Sequence, residues 1–114
     1  MSIVATAAIC VLALPTGAGA HTAAFDSRIT IKQPEPFSYR GRVFSERPKC
    51  EPGRTVKIFR AADDSQVGTT TTNENGAWEF GFIGERYYAK VTRRVDGSGT
   101  HRHVCRADRS PTTY

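Results

Sequence analysis

The 114-residue sequence predicts an all-β protein, a single β-sandwich of about seven short strands. Three observations predict it. From Tyr39 onward apolar and polar residues alternate with period two, the alternating runs are bounded by glycine-containing turns, and no window of adequate length carries the helical period. Two cysteines far apart in the chain, Cys50 and Cys105, complete the pattern of a small domain that needs a covalent staple.

Each element can be justified in order. The opening "MSIVATAAICVLALPTGAGA" carries no charged side chain and runs apolar from Ile3 to Leu14, too short to span a bilayer. Pro15 and Gly17 break that run and Ala18-Gly19-Ala20 supplies small residues, so residues 1–20 read as a secretory signal peptide cleaved after Ala20. Residues 21–36, with one short alternating run "ITIK" and then Pro34 and Pro36, read as a flexible or extended lead-in. Residues 37–114 form the sandwich domain.

Within that domain "YRGRVFS" places Tyr39, Gly41 and Val43 on one face and Arg40 and Arg42 on the other. "TVKIFR" sets Val56 and Ile58 against Lys57. The β-branched "VGTTTTN" leads into "NENG", a turn in which Gly76 takes positive φ. "AWEFGF" aligns Trp78, Phe80 and Phe82, and aligned aromatics in a strand are assigned to the core. "YYAKV" aligns Tyr87, Ala89 and Val91, and a second glycine turn, "DGSG", connects to "THRHVCR". A turn centred on "DGSG" sets Arg93 nearly opposite Arg102.

Cys10 leaves with the signal segment, which makes Cys50 and Cys105 the remaining pair and a disulfide in an oxidising compartment. A redox pair or a metal thiolate site would want CxxC spacing or further ligands. The expected location is extracellular or at the cell envelope, with no membrane span in the mature chain. Export also argues against nucleic acid as a partner, despite the net charge of +5.

That charge is unevenly placed. Residues 21–85 hold nine charges of each sign, whereas residues 86–109 carry seven Arg or Lys against Asp96 and Asp108. Arg86, Arg93, Arg94, Arg102, Arg106 and Arg109 are the candidate anion-binding residues, because the guanidinium fork binds carboxylate and phosphate bidentately. The partners this chemistry implies are an anionic cell-wall polymer or polysaccharide; another secreted protein is the further possibility. His101 and His103, two apart in a strand, share a face, and His21 would be the mature N-terminal residue; these three histidines are the candidate ligands of a copper site. Asp63-Asp64 and "NENG" lack the spacing of a calcium loop and suit turns. No Gly-x-Ser-x-Gly, no paired carboxylates at readable spacing and no catalytic Cys-His pair is present, so no catalytic residue and no cofactor is assigned.

Taken together, "YRGRVFS", Cys50 with "GRTVKIFR", "VGTTTTNENGAWEF", "YYAKV" and "HVCRADRS" resemble the transthyretin-like, carboxypeptidase-regulatory-like β-sandwich domains of small secreted bacterial proteins, actinobacterial ones particularly. The resemblance covers Tyr39 to Ser110. It implies an immunoglobulin-like sandwich of seven strands without a shared catalytic centre, and hence a structural or binding module.

Overall fold

The computed structural model describes residues 21–82 and 84–113; residues 1–20, expected from the sequence to be a signal peptide and including Cys10, lie outside the described residues. The chain is all-β, with eleven strands among those residues: β1 (His21–Phe25), β2 (Ser27–Ile29), β3 (Lys32–Glu35), β4 (Ser38–Ser45), β5 (Thr55–Arg60), β6 (Gln66–Thr71), β7 (Ala77–Gly81), β8 (Tyr87–Val91), β9 (Arg94–Ser98), β10 (His101–Cys105) and β11 (Asp108–Arg109). A single 3₁₀ turn, Pro48–Cys50, follows β4.

Two four-stranded antiparallel sheets face each other. In the first, β4 pairs with β7 along one side and with β2 and then β3 along the other. In the second the order is β11-β8-β5-β6. Strand alternation turns Ile29, Tyr39, Val43 and Trp78 of the first sheet and Val56, Ile58, Tyr87, Ala89 and Val91 of the second into one buried cluster, with Phe80 and Phe82 packed at its margin. Tyr87 stands edge-on to both Tyr39 and Phe82, with ring centroids 4.8 and 5.8 Å away. The Tyr39 hydroxyl, buried with its ring, donates to the Glu85 carbonyl at 2.7 Å and accepts from the Glu85 amide.

Residues 21–35, read from the sequence as part of a flexible or extended lead-in over 21–36, form three strands. The reason is tertiary. β2 and β3 form an interrupted edge strand on β4, where Pro34 is tolerated because an edge position asks for no inward amide. At the interruption the Thr30 amide donates to the Arg42 carbonyl and the Thr30 hydroxyl accepts from the Arg42 amide. Gly41 makes this approach possible: a Cβ there would overlap the Thr30 carbonyl oxygen and lie 2.9 Å from Trp78 Cζ2. Gly76 has φ of 79°, the left-handed conformation that its turn asks for.

A third, smaller sheet has the order β1-β10-β9, with β1 parallel to β10. It is fastened to the sandwich at one place. The Cys50–Cys105 disulfide joins the 3₁₀ turn to the end of β10, with Cα atoms 5.5 Å apart. Beside it lies Arg54, fully buried. Its Nη1 donates to the Cys50 carbonyl at 2.6 Å and to Ser27 Oγ at 3.0 Å. Its Nη2 donates to the carbonyls of Thr92 at 2.8 Å and Arg106 at 2.9 Å, and more distantly to that of Cys105. Burial, reinforced by the nearby Arg94, pushes the Arg54 pKa down to about 10, so the side chain is still a cation at neutral pH.

Arg54→Leu should therefore destabilise the domain by at least about 3 kcal/mol, since several buried carbonyls lose their donor at about 1–3 kcal/mol each. Replacing Cys50 and Cys105 together by serine should act on a similar scale, about 4 kcal/mol from the entropy of a loop of this length. Thermal unfolding checks both, at about 4–8 °C per kcal/mol. A midpoint unmoved by Arg54→Leu would show that the carbonyl cage contributes nothing.

Candidate functional site

The outer face of the first sheet is cationic. Alternation that buries Tyr39 and Val43 turns Arg40, Arg42 and Phe44 outward on β4, and pairing adds neighbours: Arg28 lies opposite Phe44, Lys32 opposite Arg40, and Glu79 opposite Arg40 on the other side. Arg28, Lys32, Arg40, Arg42, Phe44 and Trp78 line a groove of about 530 Å³. The guanidiniums of Arg28 and Arg42 lie over the Phe44 ring, 4.9 and 5.1 Å from its centroid. Arg42 is tethered further by a 2.7 Å hydrogen bond to the Asn75 carbonyl.

Among the described residues the ion pairs are those of Arg47 and Arg94 with Asp96, Arg60 with Asp63 and Glu85, and Arg106 with Asp26. None involves the four cations of this groove, and Glu79, the one carboxylate on its wall, pairs with none of them. Like charges placed directly opposite, as Lys32 and Arg40 are, cost stability unless an anion neutralises them. Trp78 borders the groove from below. The indole is 2 % exposed, and its Nε1 has no acceptor among the described residues.

The arginines singled out in residues 86–109 are dispersed over the molecule. Arg86 Nε donates to the Thr113 carbonyl. Arg94 is built into the scaffold, donating to the carbonyls of Pro52 and Lys49 at 2.8 Å and to both oxygens of Asp96. Arg106 pairs with Asp26 at 2.8 Å. Arg93 does not face Arg102. The hairpin turns at Gly99-Thr100, so Arg102 lies opposite Gly97 and Arg94 opposite Cys105. The "DGSG" segment is displaced from the turn because a two-residue loop begun by Gly99, with φ of 62°, leaves Asp96, Gly97 and Ser98 paired in β9.

Arg93 and Arg109 belong instead to the outer face of the second sheet. There Lys90 lies between Lys57 and Arg109, one directly opposite on each side. Lys57, Lys90, Arg93 and Arg109 line a groove of about 510 Å³ together with Phe59. The rings of Phe59 and Tyr88 stack at 5.3 Å, Lys90 Nζ lies 5.0 Å from the Phe59 centroid, and the Arg109 guanidinium lies 3.8 Å from that of Tyr88. These four cations also form no ion pair among the described residues.

Parallel pairing of β1 with β10 sets His21 opposite His101, with His103 two residues further along. No three His, Cys, Asp or Glu side chains converge to hold a metal among the described residues. Cys50 and Cys105 are joined as expected, and the Arg47 guanidinium lies 3.4 and 3.6 Å from their sulfurs while pairing with Asp96. No helix of the described residues is long and apolar enough to cross a membrane. No protein-family model and no curated protein matches the chain.

Of these features the sequence missed Arg28 and Lys32, hidden in the supposed lead-in, and the grouping of Lys57 with Lys90. The available signal was the alternation of "SRI", "ITIK", "TVKIF" and "YYAKV", in which each of these cations falls on the polar face.

Asp96 supplies a pH test of the scaffold. Hydrogen bonds from Arg94, then from Arg47, hold its carboxyl below the usual carboxylate range. A depressed carboxyl pKa contributes stability that is present above its unfolded value, about 4, and lost as pH falls through the folded one. Asp96→Asn should lower the thermal midpoint at pH 6 and narrow its difference from the parent protein as pH drops below about 4. A difference that persists undiminished at pH 2 would contradict this.

Proposed function

We propose that the protein is a secreted, non-catalytic β-sandwich module of the transthyretin-like type that adheres to an anionic extracellular polymer. The observation that carries the reading is the groove on the first sheet, where Arg28, Lys32, Arg40 and Arg42 surround Phe44 without a carboxylate partner among the described residues. Exposed ion pairs are worth little, so a fold loses little by leaving its cations unpaired. A polymer bearing carboxylate or phosphate groups would gain several charge-assisted hydrogen bonds in one groove. The disulfide supports an oxidising, extracellular setting.

The protein of residues 21–114 should bind immobilised polygalacturonate at low ionic strength and elute as salt rises, because exposed charges are screened beyond about 10 Å at 0.1 M. Arg40→Gln with Arg42→Gln should elute at distinctly lower salt without a loss of thermal midpoint. Trp78 is the single tryptophan of the chain and borders the groove, so its fluorescence should respond to the polymer and not to a neutral glucan. Retention unchanged in that double variant would remove the groove from the reading.

A second reading, copper bound through a mature N-terminal histidine, is favoured by the pairing of His21 with His101 beside His103. A free amine and ring at His21 would chelate Cu(II), with His101 or His103 completing the set. Titration with Cu(II) should then show one submicromolar site that His21→Ala abolishes. Binding no tighter than that of the His21→Ala protein would end this reading.

A further inference from the structure

We propose that the domain is bivalent, a cross-bridge that joins two anionic polymer chains through its two outer faces. The inference rests on the polymer-binding reading above and adds to it a second site and a mechanical consequence. The sandwich has one shared core, to which both sheets contribute their inward residues. Residues that alternate away from that core therefore leave the molecule in opposite directions, with the two sheets about 10 Å apart between them. On one side stand Arg28, Lys32, Arg40 and Arg42, and on the other Lys57, Lys90, Arg93 and Arg109.

The two faces are built alike. Each has four cations around a groove of similar size, about 530 and 510 Å³. Each places like charges directly opposite across paired strands, Lys32 with Arg40 on the first and Lys57 with Lys90 with Arg109 on the second. In each, cations lie over the outward-facing aromatic rings, the half-buried Phe44 on one side and the half-buried Phe59 and buried Tyr88 on the other. Solubility alone asks for mixed charge on a surface and does not ask for cations stacked opposite one another. An anion laid along the row neutralises several at once. Neighbouring strands are about 4.8 Å apart, so the row across β5, β8 and β11 presents positive charge at that interval to a chain of closely spaced anions.

One polymer segment cannot occupy both faces of a rigid sandwich without wrapping around its edge, so occupancy of both faces links two segments. A polymer is favoured over a bilayer because both sites are grooves, which a strand of linked anions can enter and a flat headgroup surface cannot.

The test mixes the protein of residues 21–114 with polygalacturonate, and separately with linear polyphosphate, at low salt, and follows light scattering against the protein-to-polymer ratio. A bivalent bridge gives scattering that rises, peaks and falls in protein excess, when every polymer site is filled by a separate molecule. Two variants separate the faces: Arg28→Gln with Arg40→Gln and Arg42→Gln, and Lys57→Gln with Lys90→Gln and Arg109→Gln. All six residues have surface-directed side chains, and a thermal midpoint no lower than that of the parent verifies each fold. Each variant should still be retained on the immobilised polymer, with weaker salt resistance, and each should lose the scattering peak by at least tenfold. Full bridging by either variant overturns the proposal, as does a result in which one variant alone abolishes retention while the other changes nothing. Clustering of anionic phosphatidylglycerol vesicles without cross-linking of either polymer would also overturn it. Failure of the parent protein to bind any polyanion would instead sink the polymer-binding reading itself, whereas binding without a scattering peak sinks only the bridge. The carboxylate and phosphate arms tell which anion the rows prefer.

Discussion

A buried cation without a carboxylate is the constraint on which this structure depends. Taking a guanidinium out of water costs several kcal/mol even after relaxation. Arg54 offsets that cost by donating to carbonyls drawn from the 3₁₀ turn, from the residue after β8 and from the residues that end β10. Charged hydrogen bonds of this kind contribute about 1.5–3 kcal/mol each. The donors point at the backbone of both half-cystines, so the disulfide and the guanidinium hold the same junction by independent means. With both present, the β9–β10 hairpin and β1 are parts of the domain. Around them, Arg47 with Asp96 and Arg94 with the carbonyls of Lys49 and Pro52 add further ties between β9 and the 3₁₀ turn.

The same junction sorts the arginines of the chain. Those that reach it, Arg47, Arg54 and Arg94, are consumed by structure: their hydrogen bonds end on Asp96, on the disulfide sulfurs and on loop carbonyls. Those on the outer faces of the two sheets make no ion pair among the described residues. The energetic cost of that arrangement is small. An exposed ion pair contributes about 0.2–1 kcal/mol, so stability does not require the outer cations to be matched. Their charge is therefore left for a ligand, and the rigid sheets beneath them fix the spacing at which it is presented.

A β-sandwich suits this use. Its core needs only the inward half of each strand, and the outward half is free to carry chemistry without disturbing packing. Tyr39, Val43 and Trp78 bury the side of the sheet whose other side shows Arg40, Arg42 and Glu79. Lengthening or shortening a loop would leave both grooves intact, because each is lined mainly by strand residues held in register by backbone hydrogen bonds.

By itself the sequence determined the all-β class, the inward and outward faces of β4, β5, β7 and β8, the left-handed turn at Gly76 and the pairing of the two cysteines. These follow from local physics: a period of two divides a strand into faces wherever the strand lies, a tight turn needs a glycine, and two thiols in an oxidising compartment have one partner each. Tertiary structure alone decided which faces meet. Alternation sets Arg40 outward and Arg54 in phase with the inward Val56 and Ile58, but nothing local says that carbonyls from distant strands gather around the Arg54 guanidinium. Arg28 and Lys32 join Arg40 and Arg42 because β2 and β3 both seat on β4, and Arg93 moves away from Arg102 because the hairpin turns at Gly99. Period two tells a strand which way its side chains point and says nothing of its neighbour. Register is set by long-range backbone pairing and by the shape of the shared core, and the candidate site is a property of register.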